Sequence, residues 1–299
     1  MGTIAAQIEQ PSSNVRDKAA AYLELTKPRI AVLLVLTSAA GFYLGAPGTF
    51  DVALFVHSML AITLLAFGVA TLNQYWERHI DPLMDRTAKR PLPSKRVGDR
   101  EALVFGIIQC TAAIAYLLFL VNPLTAVLGL VVIVGYVFVY TPLKTRTSAS
   151  TAIGAIPGAL PPLMGWTAAA NEITMGAWAL FVMQFLWQFP HFFAIAWMYR
   201  DEYRKAGILM LPVLDPDGRI TFRQVVLFAI MLFPVSLAPF FLGISGQIFL
   251  IGGFLLGLWF LWVSFRAARS RSLAGSKKLL LMTVIYLPLL FVLMVADKR

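Results

Sequence analysis

Cysteine is almost absent, charge is sparse, and no signal-peptide core is present. A lone Cys110 inside an apolar run excludes a disulfide framework and any cysteine-rich metal site, and reads as a small buried side chain. Only 13% of the 299 residues are charged, against 59% hydrophobic and a mean hydropathy of +0.76. That balance excludes an ordinary soluble domain and points to an all-α, polytopic membrane protein. The residues up to about Glu24 are polar, and Glu9, Asp17 and Glu24 count against a mitochondrial transit peptide, which is normally poor in acids. The expectation is a cytoplasmic N-terminal arm over 1–25 and one transmembrane domain over 26–299.

Nine apolar runs follow: 30–44 (with its helix beginning near Pro28), 52–72, 102–121, 123–140, 152–170, 175–199, 225–243, 248–265 and 279–296. The fifth carries Pro157, Pro161 and Pro162 among Gly154, Gly158 and Gly165, a pattern that predicts a broken helix lining a cavity or packed on protein. Of the 25 Lys and Arg residues, 23 fall in alternate loops, which places those loops and the N-terminus on the cytoplasmic side. The net charge of +10 is therefore a topology signal and not a nucleic-acid footprint. The partners it implies are anionic lipid headgroups and an anionic substrate.

The second run releases Asn73, Glu77, Asp81 and Asp85 at steps of four. On a helix such a step turns the side chain by about 40° and rises about 6 Å, so the first three share one face. Asp81 precedes Pro82, so the helix is expected to loosen there and leave Asp85 on a loop. Crowded carboxylates repel unless a cation joins them, and oxygen ligands suit Mg²⁺. Arg86, Lys89 and Arg90 follow directly and could hold an anion bridged by that metal. A second polar loop repeats the mixture: Asp201 and Glu202 precede Arg204 and Lys205, and Lys144 and Arg146 occupy a short connection on the same side. Acids for a metal and bases for a phosphate at a bilayer edge suggest a lipid diphosphate site. A solvated cytoplasmic loop would mix the same charges. His191 follows Pro190 inside an apolar run, where an ionisable group is either functional or hydrogen-bonded to a carbonyl that the proline frees.

Several strings together resemble the UbiA-type intramembrane prenyltransferases, and within them the heme O synthase branch. They are LTKPRI at 25–30, the N-x₃-[DE]-x₃-D pattern at Asn73, Glu77 and Asp81, and MDRTAKRPLP at 84–93. YTPLKTRT at 140–147, GALPPLMGW at 158–166, and WQFPHFFAIA, DEYRKAG and LP between 187 and 212 complete the set. In order, they span about two thirds of the chain. Glu77 stands where the wider group usually has Asp, and His191 where it has an Asp-rich motif. The latter departure resembles the heme O synthase branch and argues against a quinone-type acceptor. The resemblance implies nine helices around a central cavity in a bacterial plasma (inner) membrane. It implies transfer of a farnesyl group from farnesyl diphosphate to heme B, with association with heme A synthase or terminal oxidase assembly as a further expectation. Catalytic roles would fall to Asn73, Glu77, Asp81 and His191, the last ligating heme iron or orienting the porphyrin. Metal ligands would come from Asn73, Glu77, Asp81, Asp85, Asp201 and Glu202. Diphosphate contacts would come from Arg86, Lys89, Arg90, Lys144, Arg146, Arg204 and Lys205. A prenyltransferase acting on a quinone precursor or chlorophyllide, and a transporter built on broken helices, remain the competing readings at this stage.

Overall fold

The computed structural model describes residues 15–299, so most of the expected arm, Glu9 included, lies outside the described residues. A short helix α1 (Val15–Leu25) leads through Thr26 and Lys27 into α2 (Pro28–Gly45), where Pro28 occupies the first turn, a position that needs no N–H. Then come α3 (Val52–Glu77), α4 (Asp99–Leu120) and α5 (Pro123–Ile133). A π-helical turn over Val134–Tyr140 and the short α6 (Thr141–Leu143) continue α5. After α7 (Ser150–Ala170) and α8 (Met175–Met198) come two short helices, α9 (Arg200–Lys205) and α10 (Leu211–Leu214). The chain closes with α11 (Arg219–Phe241), α12 (Gln247–Ser270) and α13 (Leu273–Ala296). The one bridge of strand type joins Ser245 to Lys298 among the described residues. The protein is thus an all-α, polytopic integral membrane protein, and eight of its described helices are long and apolar enough to cross a bilayer.

The fifth apolar run, α7, is not among those eight. Fifteen of its 21 residues are buried in protein, against α2 on one side and α8 on another, so most of its wall does not need a lipid-like surface. The expected break does not occur: the helix runs unbroken through all three prolines. Pro162 lacks the N–H that would serve the Gly158 carbonyl, and Gln184 on α8 donates to that oxygen instead, at 2.9 Å. Glycine lets α2 approach closely. A Cβ on Gly165 would collide with the Ser38 carbonyl, and one on Gly41 with the Pro162 carbonyl.

The two ends of the bundle are chemically unlike. At one end the Lys298 ammonium donates to the Tyr43 carbonyl at 2.6 Å, and Asn122 Nδ2 donates to the Thr167 carbonyl at 2.8 Å. At the other end α1 lies on α3: Gln74 Nε2 donates to the Leu25 carbonyl at 2.9 Å, and Arg96 pairs with Glu24 at 2.6 Å. The polar loops after α3, α6 and α8 share this second end. Leu209 N–H donates to the Lys144 carbonyl at 2.8 Å, and Met84 packs against Tyr203, Ala206 and Ile208.

Candidate functional site

The last turn of α3 holds Asn73, Gln74 and Glu77, all buried. The helix stops at Glu77, four residues earlier than the spacing predicts, so Asp81 does not extend the same helical face. It opens a tight 3₁₀ turn (Asp81–Leu83) and is carried back toward Glu77 by the loop. Two contacts fix it there. Thr87 Oγ1 donates to the Asp81 carbonyl at 2.7 Å, and one Arg90 nitrogen lies 2.8 Å from each Asp81 carboxylate oxygen. The same Arg90 nitrogen is 3.6 Å from Glu77 Oε2, so one guanidinium spans both acids.

Two lysines close the cage. Lys144, just past α6, places its ammonium 2.5 Å from Glu77 Oε1 and 4.5 Å over the Tyr140 ring. Lys27, held with φ of 50° ahead of α2, donates to Asn73 Oδ1 at 2.7 Å. Asn73 in turn donates to Thr141 Oγ1 at 3.1 Å. The π-helical turn sets that threonine, because Thr141 Oγ1 donates to the Tyr136 carbonyl at 2.8 Å, five residues back. Lys27 and Thr141 were not among the expected site residues. The sequence signal for Lys27 was its place in LTKPRI immediately before the Pro28 that starts a membrane helix.

Burial dominates the electrostatics here. It lowers Lys27 to about 7, helped by Arg90 and opposed by Glu77. It raises the Asp81 carboxyl, against the pull of Arg90. It also works against the Lys144 ammonium, yet the charge and hydrogen bond of Glu77 together with Tyr140 and Tyr136 outweigh it and hold Lys144 well above the usual lysine range. Two carboxylates are thus met by three basic side chains, leaving capacity for an anion.

The remaining expected residues sit around this cage or apart from it. Arg86 donates to Tyr203 Oη at 2.9 Å and lies 4.8 Å over the Tyr199 ring, while its backbone N–H donates to Glu202 at 3.3 Å. Arg204 pairs with Asp201 at 2.7 Å on an exposed turn of α9. Asp85, Lys89, Arg146 and Lys205 are exposed. His191 is elsewhere on α8, facing α13. Its Nδ1 is 2.8 Å from Thr283 Oγ1, and its ring stacks on Trp187 at 4.7 Å. Trp187 Nε1 donates to the Thr283 carbonyl at 2.8 Å, so both rings are tied to one residue. No hydrogen bond or ion pair joins His191 to the cage among the described residues.

Among the described residues, no three His, Cys, Asp or Glu side chains converge as a metal site of their own. The cage instead offers an amide oxygen and two carboxylates, with Asp85, Asp201 and Glu202 outside it. Mg²⁺ usually takes one or two carboxylates and completes its shell with water and substrate phosphates. The donor set fits such a bridged ion and not a protein-only cage.

The chain belongs to the UbiA prenyltransferase family, whose sequence profile matches residues 34–291. Among its relatives, the protoheme IX farnesyltransferase of Solibacter usitatus is 47% identical over 286 residues, covering 93% of this chain and 98% of that one. The protoheme IX farnesyltransferase of Myxococcus xanthus is 43% identical, covering 92% and 94%. Solved structures share the fold at low identity. A digeranylgeranylglyceryl phosphate synthase superposes with a TM-score of 0.79 at 16% identity, covering 94% of this chain and 98% of that one. A UbiA homologue from Archaeoglobus fulgidus, bound to DMAPP and Mg²⁺, superposes at 0.67 and 16%, covering 92% and 99%.

Proposed function

We propose that this protein is a protoheme IX farnesyltransferase, which moves the farnesyl group of farnesyl diphosphate to a vinyl group of heme B and yields heme O and diphosphate. The observation that carries this reading is 47% identity to such an enzyme along nearly the whole of both chains. The cage gives it a mechanism. Asn73, Glu77 and Asp81 would hold Mg²⁺, which would neutralise phosphate oxygens and position the diphosphate. That a distant UbiA homologue was solved with DMAPP and Mg²⁺ supports the assignment.

Lys144 and Arg90, which pair with Glu77 and Asp81, stand beside the position the diphosphate would take. They and Lys27 stabilise the charge that grows on the leaving group, a preorganised electrostatic role. Arg86, Lys89, Arg146, Arg204 and Lys205 line the approach, with Asp85, Asp201 and Glu202 as outer acids able to hold a second, hydrated ion. Cleavage of the C1–O bond sends the electron pair to diphosphate and leaves an allylic cation. The vinyl group attacks C1, water captures the carbon cation so formed, and one proton is lost.

His191, clamped between Trp187 and Thr283, takes the porphyrin side of the reaction, orienting the ring or ligating its iron through the unbonded Nε2. In this reading α7 crosses the bilayer with the eight apolar helices. The N-terminus and the cage are then cytoplasmic, and a central cavity of the kind the family resemblance implies admits the two substrates. A bacterial plasma membrane is the setting, with heme A synthase or oxidase assembly as the destination of the product. The test is turnover. Purified protein given heme B, farnesyl diphosphate and Mg²⁺ should form heme O, identified by mass spectrometry of the extracted hemes. Prenylation of a quinone precursor with no heme O would reject the acceptor assignment.

A further inference from the structure

A second amphiphilic site lies away from the cage, in the crevice between α11 and α12 at the basic end of the bundle. On α11, Arg219, Arg223 and Leu227 follow at steps of four, with Ile230 three residues further, so they form one strip. On α12, Phe265 and Arg269 repeat the order, and Arg271 caps the helix with φ of 45°. These side chains line a cavity of about 780 Å³. Its outer part is cationic and its inner part apolar: Leu227, Ile230 and Phe265 are 47%, 48% and 52% exposed.

The four arginines have no acid partner among the described residues. Among the described residues the side chains of Arg219, Arg223 and Arg269 have no hydrogen bond, ion pair or ring contact, and that of Arg271 reaches only the Asp217 carbonyl at 3.5 Å. The neighbouring Asp215 carboxylate is occupied by the Thr221 N–H at 2.7 Å. Some basic side chains at this end do find acids, as Arg78 does with Asp99 and Arg96 with Glu24, whereas these four gather without one beside a single apolar strip. Four guanidiniums without counter-ions above a lipid-exposed apolar strip match a phosphate headgroup above an acyl chain. Guanidinium binds phosphate through paired N–H groups, and basic pockets between membrane helices attract anionic headgroups. A free inorganic phosphate would leave the Leu227, Ile230 and Phe265 strip unused.

We propose that the α11–α12 crevice is a binding site for one anionic glycerophospholipid, its phosphate held by Arg223 and Arg269 with Arg219 and Arg271 at the rim. The site is independent of the prenyl transfer cage and of the acceptor assigned there.

Native mass spectrometry of the full chain in neutral detergent tests it, with dioleoyl phosphatidylglycerol and dioleoyl phosphatidylcholine as probes. The native chain should retain one phosphatidylglycerol in preference to phosphatidylcholine, and inorganic phosphate should not displace it. The variant Arg223→Gln with Arg269→Gln should lose about tenfold or more in phosphatidylglycerol affinity with phosphatidylcholine unaffected. Equal retention of the two lipids, undiminished binding by the variant, or displacement by inorganic phosphate would each overturn the proposal. Photocrosslinking of a phosphatidylglycerol probe to the native chain supplies a second measurement that does not depend on the variant folding. Adducts should map to residues 219–230 or 265–271, and adducts confined to other helices would refute the site.

Discussion

Replacing Arg90 by methionine isolates the electrostatics of the cage. Asp81 is fully buried, and Arg90 is its only ion-pair partner among the described residues, one nitrogen meeting both carboxylate oxygens at 2.8 Å. Methionine keeps much of the length of the side chain and removes the charge, leaving Asp81 a carboxylate without a counter-ion. Breaking a buried pair on one side costs about 3–5 kcal/mol, because the remaining charge stays desolvated. Glu77 loses less, since Lys144 still holds it at 2.5 Å. A loss of that size lowers the melting temperature by on the order of 10 °C, read by differential scanning fluorimetry in detergent at neutral pH. The deficit has a defined pH dependence. Burial already raises the Asp81 carboxyl, and without Arg90 it rises further. A carboxyl raised above its unfolded value favours the folded state when protonated, so the variant should regain stability as pH falls toward the unfolded aspartate range, near 4. Adding Asp81→Asn to Arg90→Met should recover much of the loss, since no charge is then stranded. An Arg90→Met protein as stable as the parent, or a double variant no better than the single one, would refute the reasoning.

Three further outcomes follow from other parts of the molecule. Gly165→Leu forces α2 from α7, because its Cβ would meet the Ser38 carbonyl, and should cost about 1–3 kcal/mol or more in thermal unfolding. Lys27 is lowered to about 7 in the folded protein, chiefly by burial, so the unfolded chain binds more protons between that value and the ordinary lysine range. Stability without Mg²⁺ should therefore rise with pH across that window, and Lys27→Met should flatten the slope. His191→Ala should abolish heme O formation while leaving the affinity for a farnesyl diphosphate analogue unchanged, measured by equilibrium binding of a radiolabelled analogue.

Much of this could be read from the sequence because a bilayer restricts the backbone to few solutions. Charge-free runs gave spans whose starts the structure matches closely for α2, α3 and α8. The end of α3 was less legible. A repeat of four predicts one continuous face through Asp81, but the helix stops at Glu77, and contacts from Thr87 and Arg90 return Asp81 to the site. Those contacts fold an irregular loop back on itself and leave no periodic trace. The proline-rich α7 misled for a related reason. Local propensity predicts a break, but a tertiary donor, Gln184, serves the carbonyl that Pro162 frees, and the helix continues. Lys27 escaped notice because a lysine at a membrane boundary normally reports topology. Only the fold shows that its ammonium turns inward to Asn73.

In the proposed mechanism, Asn73, Glu77 and Asp81 join a prenyl diphosphate to the protein through Mg²⁺. The most direct measurement is equilibrium binding of radiolabelled farnesyl thiolodiphosphate to the purified protein, with Mg²⁺ or with a chelator, in the native chain and in Asp81→Asn. Tight binding that requires Mg²⁺ is expected in the native chain, falling at least tenfold in Asp81→Asn. Binding that is indifferent to the chelator, or equally tight in the variant, would contradict that mechanism.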